Sequence, residues 1–112
     1  MIKQELKDVY IEAKEENWND EGAQAVSYKT YLKAVAFVEC LPRELLDVGV
    51  AADPDGEISF DWYGEGNRVF SASINSEGRL SYAAVYGKRS LHGTCSNIAD
   101  LMEDIKMVLG KD

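Results

Sequence analysis

A chain of 112 residues, 46% of them hydrophobic and with a net charge of -8, has enough apolar material for one ordinary core and predicts a single domain over 1–112. Twenty acids against twelve bases repel phosphate backbones and anionic membrane surfaces over a Debye length of about 8 Å, which argues against direct nucleic-acid binding and against a membrane partner. Two cysteines, Cys40 and Cys95, far apart in sequence, fit neither a secreted disulfide framework nor a zinc site, so reduced thiols and a cytoplasmic location are expected.

The N-terminal residues are charged every few positions and form no signal-like apolar run. Ile2, Leu6, Val9, Tyr10 and Ala13 share one helical stripe, with Glu5, Asp8, Glu12, Glu15 and Glu16 opposite, which predicts an amphipathic helix to about Glu16. A second helix is expected from a Ser27 cap through Tyr31, Leu32, Val35, Val38 and Leu41, stopping near Cys40 because Pro42 disfavours helical geometry before it. Leu45 and Leu46 fit one extra turn.

From Val48 the period becomes two. Val48, Val50 and Ala52 fall on one side of a short strand, and Asp53-Pro54-Asp55-Gly56 reads as a tight turn. Ile58, Phe60 and Trp62 then alternate with Ser59, Asp61 and Tyr63, and Gly64-Glu65-Gly66-Asn67 reverses the chain. Arg68 to Ile74 forms a third strand with Phe70, Ala72 and Ile74 on one face. After Asn75-Ser76-Glu77-Gly78, the run Leu80 to Tyr86 is a fourth strand, apolar on both faces and therefore ambiguous in its inward side. Short turns make these four strands an antiparallel meander. Lys88 to Cys95 reads as a loop, followed by a helix with Ile98, Leu101, Met102, Ile105, Val108 and Leu109 on one stripe, capped by Ser96 or Asn97 and ended by Gly110. The expected class is α+β: two N-terminal helices, a four-stranded antiparallel meander and a C-terminal helix, packed as two layers, helix on sheet.

The link Asn17-Trp18-Asn19-Asp20-Glu21-Gly22-Ala23, and the later run Asp53-Pro54-Asp55-Gly56-Glu57-Ile58-Ser59-Phe60-Asp61-Trp62, resemble a group of small uncharacterised bacterial proteins, a domain of unknown function. That group carries Asn-Trp-Asp-Gly, a Gly-Ala pair, a helix ending in Leu-Pro, and an Asp-Gly-Glu turn before an aromatic strand. The resemblance spans roughly Asn17 to Tyr86 and departs at Asn19 and Asp20, where the group has Asp and Gly. It implies one compact domain and transfers no catalytic residue. Physically, Trp18 reads as the anchor that pins the interhelical turn to the core, with Gly22 relieving the backbone.

Chemistry-bearing patterns are sparse. An EF-hand loop starting at Asp53 would need Gly and Glu where Ile58 and Gly64 stand, and Gly64-Glu65-Gly66 lies between strands instead of opening a helix, as a phosphate site requires. His92 and Cys95 are close enough to suggest a thiol with a base, yet no third, orienting group is visible. The carboxylate pairs Asp61 with Glu57 and Asp53 with Asp55 sit at turns or on polar strand faces, where both members stay ionised. No enzyme, cofactor or metal is therefore expected.

Charge is uneven. Glu44 to Asn67 holds seven acids and no Lys or Arg. With the nearby aromatics this suggests an interaction surface made of Asp55, Glu57, Asp61, Trp62, Tyr63, Glu65, Tyr82 and Tyr86, facing a basic protein partner. The first expectation is thus a non-enzymatic protein-interaction module, an accessory, immunity or antitoxin-like partner of a bacterial or phage operon. The alternatives are an acidic nucleic-acid mimic that inhibits a DNA- or RNA-binding protein, and a small enzyme or ligand carrier. An unpaired edge strand also leaves room for a homodimer.

Overall fold

The computed structural model describes residues 2–95 and 98–110. In chain order these form α1 (Ile2–Ala13), α2 (Tyr28–Glu39), a 3₁₀ turn (Arg43–Leu45), β1 (Gly49–Ala52), β2 (Ile58–Tyr63), β3 (Val69–Ile74), β4 (Leu80–Tyr86), β5 (Arg89–Cys95) and α3 (Ile98–Leu109). The α+β class is as expected, but the sheet has five strands, in order β1-β2-β3-β4-β5 with every neighbouring pair antiparallel. The expected loop Lys88 to Cys95 is, from Arg89 on, the fifth strand. It leaves β4 through Gly87 and Lys88, with Tyr86 opposite Arg89 and Gly87 at φ +65°, the geometry of a two-residue hairpin loop that needs Gly at its first central position.

Helix α1 stops at Ala13, three residues before Glu16, because the Ala13 carbonyl accepts from the Val26 N–H at 2.8 Å and the chain turns back there. The Ser27 cap is present: its Oγ accepts from the Thr30 N–H at 3.1 Å. The buried stripe of α2 is Thr30, Ala34, Phe37 and Val38, so Leu32, expected inside, is 48% exposed. The expected caps of α3, Ser96 and Asn97, lie outside the described residues.

Between α1 and α2 the chain is held by side chains folded onto backbone. The Trp18 Nε1–H donates to the Gln24 carbonyl at 2.8 Å, and Asn19 Oδ1 accepts from the N–H groups of Glu21 and Ala23. Asn17 and Asp20 both take φ +61°, a left-handed conformation that Asn and Asp tolerate better than other side chains. A Gly at 20 would adopt it freely. The link then docks on the β1–β2 turn, where Gln24 N–H donates to the Pro54 carbonyl at 2.8 Å. A Cβ on Gly56 would stand 3.0 Å from the Ala25 carbonyl oxygen.

The core lies between the helices and one face of the sheet. Ile58, Phe60 and Trp62 of β2, Phe70, Ala72 and Ile74 of β3, and Leu80 and Ala84 of β4 are buried with Leu6, Phe37, Leu45, Leu101, Ile105 and Val108. Phe37 and Phe60 meet at 4.8 Å between ring centroids, and Trp62 lies 6.2 Å from Phe70. The Trp62 Nε1–H donates to the Leu45 carbonyl at 2.9 Å, so the indole is buried without an unmet donor. Register resolves the ambiguous fourth strand. Leu80, Tyr82 and Ala84 pair with Ile74, Ala72 and Phe70 and so face inward. No helix of the described residues is long and apolar enough to cross a membrane.

Candidate interaction surface

The three helices pack on one side of the sheet. α1 lies against β1 and α2, α2 against β2 and β3, and α3 against β2 through β5. Among the described residues no element covers the other side. Cross-strand register lays that outer face out in rows. Ala51, Ser59, Ser73, Ser81 and Thr94 form one row. Gly49, Asp61, Ser71, Ala83 and His92 form the next, and Tyr63, Val69, Val85 and Ser90 the third. The first row is thus paved with small side chains, and the second sets Asp61 and His92 among Gly, Ser and Ala. The third is apolar across three strands, with Tyr63 71% and Val85 46% exposed.

The structure does not bring the eight predicted surface residues together. Asp61 and Tyr63 lie on the outer face, two residues apart on β2. Asp55 and Glu57 stand in the β1–β2 turn and Glu65 in the β2–β3 turn, so the six residues of β2, about 17 Å of strand, lie between them. Trp62 is the correction of most consequence. With alternating side chains, a neighbour of Tyr63 must point the opposite way, and the indole is 1% exposed within the core. Tyr82 and Tyr86 are also on the inner face and half-buried against that core. The Tyr82 ring stacks on Phe70 at 5.6 Å and lies across Gly93 of β5, where a Cβ would come within 2.8 Å of the tyrosine hydroxyl. Val69, Val85 and Ser71, absent from the predicted surface, belong to it. The turn lengths that set β3 opposite β2 and β4 were the available signal.

Asp61 is anchored by Ser71, whose hydroxyl donates to Oδ1 at 2.6 Å. At the other end of the face, Asp53 accepts from Ser59 at Oδ1 and from Ser73 at Oδ2, each at 3.1 Å. Burial pushes the Asp53 carboxyl above its ordinary value despite the lowering pull of these two hydroxyls, and Asp55 and Asp61 push the same way. Glu57 is raised by burial first, then by Asp55 and Asp53. Asp53, Asp55 and Glu57 offer carboxylate oxygens within 4.8 Å of one another. Local hydrogen bonds account for this grouping: Asp55 Oδ1 accepts from the Glu57 N–H at 3.0 Å, closing the turn.

The spacing of His92 and Cys95 takes on a different meaning on a strand. Three residues apart, they point to opposite faces. His92 is exposed on the outer face opposite Ala83, whereas Cys95 pairs with Leu80 on the inner one. A thiol–imidazole pair cannot form there without breaking β5. Comparisons of the chain with protein-family models, with curated proteins and with solved structures find no match.

Proposed function

We propose that this chain is a non-enzymatic protein-interaction module of the bacterial cytoplasm, an accessory, immunity or antitoxin-like partner, which seats a basic protein on the outer face of its sheet at the β2–β3 end. The observation that carries this reading is the apolar row of exposed Tyr63 and Val85 with half-buried Val69 between them, set beside the Asp61 carboxylate on a face that no described element covers. Aromatic and aliphatic groups supply most of the affinity at such contacts, while carboxylates steer the approach and select a partner of opposite charge. Small Ser and Ala side chains around the row let a flat partner approach the sheet closely.

The test is to capture the partner from the native cell with tagged chain, purify it, and titrate it against the wild type and Tyr63→Ala. A loss of roughly 30-fold in affinity, about 2 kcal/mol, is expected. An unchanged affinity, or a captured partner that is acidic overall, overturns the reading.

A further inference from the structure

The two edge strands of the sheet differ in length. β1 has four residues and packs against α1, as β5 does against α3. β5 has seven residues, pairs with β4 in unbroken register from Tyr86–Arg89 to Leu80–Cys95, and among the described residues has no strand on its other side. In a hairpin closed by two residues, bonded pairs alternate from the one next to the loop. Ser90, His92 and Thr94 therefore turn their backbone N–H and C=O groups away from β4, toward the free edge.

Natural edges are blunted by proline, bulges or a charge placed mid-strand. The middle of β5, Ser90-Leu91-His92-Gly93-Thr94, has none of these. Its cations stand at the two ends instead. Lys88 and Arg89 are exposed at the hairpin loop. At the far end Arg79 Nη2 donates to Thr94 Oγ1 at 3.3 Å. From Leu80 to Ala99 there is no Asp or Glu, in a chain whose net charge is -8. The nearest acid in the chain before Arg79, Glu77, lines the hollow it shares with Arg79, Thr94 and Cys95.

We infer that β5 accepts an added strand from a partner protein: an extended segment of about six residues with Asp or Glu near both ends, matching cations about 17 Å apart. A second copy of this chain fits worse. Two-fold antiparallel pairing about His92 sets Lys88 and Arg89 of each copy against the Thr94 end of the other, where Arg79 stands, so like charges meet. This site is the backbone edge of β5, three strands from Asp61 and Tyr63 on β2, and does not depend on the proposed function.

The probe is an eight-residue peptide of alternating valine and threonine flanked by glutamates, with a lysine-flanked counterpart, titrated into the full ¹⁵N-labelled chain. The acidic peptide should shift the amides of Ser90, His92 and Thr94 and slow their hydrogen exchange, and its Kd should rise at least tenfold between 50 and 300 mM salt. Lys88→Glu with Arg89→Glu should weaken it at least tenfold. His92→Pro, which removes an outward N–H while leaving the ladder to β4 in place, should abolish it. Tyr63→Ala should leave it unchanged, which separates this site from the outer face. Three outcomes overturn the inference: unmoved β5 amides at millimolar peptide, equal binding of the lysine peptide, or a dimer whose β5 amides are already protected before peptide is added.

Discussion

Trp62 and Tyr63 are neighbours in the chain and opposites in the fold. One is enclosed by Phe37, Phe60, Phe70 and Leu45, and the other projects from the outer face beside Val69. The comparison extends across β2, β3 and β4, where large apolar groups fill the inner face and the outer face carries small Ser and Ala side chains around the row Tyr63, Val69 and Val85. The inner face is a volume constraint, because each ring is in contact on several sides and any change leaves a gap or a clash. The outer face carries no such constraint, so its composition is free to be set by what lands on it.

The largest expected effect lies inside. Trp62→Ala should lower unfolding free energy by about 3–5 kcal/mol in chemical denaturation, through lost burial, a cavity and an orphaned Leu45 carbonyl. A loss under about 1 kcal/mol would show that the inner face repacks and would erase the contrast. Gly93→Ala, which drives a methyl into the Tyr82 ring, should cost about 1–3 kcal/mol, whereas Ala83→Val on the outer face of the adjacent strand should stay within about 0.5 kcal/mol. The same two measurements by thermal melting would expose any hidden packing on the open side. Tyr63→Ala is the reverse of Trp62→Ala: stability within about 0.5 kcal/mol of wild type, with affinity for the captured partner reduced roughly 30-fold.

The smallest effect is one of pH. Asp53 and Glu57 have carboxyl groups raised in the folded chain, so the native state holds protons more tightly than the unfolded one. Stability contributed by these groups therefore increases as pH falls from neutral through their raised values, and the gain is complete once pH is below the ordinary carboxyl range. Glu57→Gln should raise the melting temperature slightly at pH 7, by less than about 1 kcal/mol in stability. The difference should vanish by about pH 3, below the ordinary carboxyl range. A variant less stable than wild type at pH 7 would mean that the glutamate charge is favourable where it stands.

Much of the inner face was legible, since Ile58, Phe60, Trp62, Phe70, Ala72 and Ile74 recur with a period of two and settle the facing of β2 and β3. The Ser27 cap and the stripe of α3 followed in the same way. β5 was illegible because its inward positions include Gly93, whose share of the core is supplied by Tyr82 from the next strand. The apolar alternation that marks a strand is borrowed there across the ladder, and Gly87-Lys88 was the remaining clue. The candidate surface failed differently. Grouping Trp62, Tyr63, Tyr82 and Tyr86 by residue type and proximity set aside the alternation that separates them, and Val69 and Val85 carry no chemical signal until register puts them beside Tyr63.

The placement of the two tryptophans also makes the chain its own reporter. Trp62 is a fluorophore shielded by the core, and Trp18 is a half-exposed one held to the Gln24 carbonyl in the link between α1 and α2. Their emission therefore comes from two regions that open with different free energies. A shift of emission that precedes loss of the sheet reads the link, and one that coincides with it reads the core, so loosening of the link can be followed by light without attaching a label.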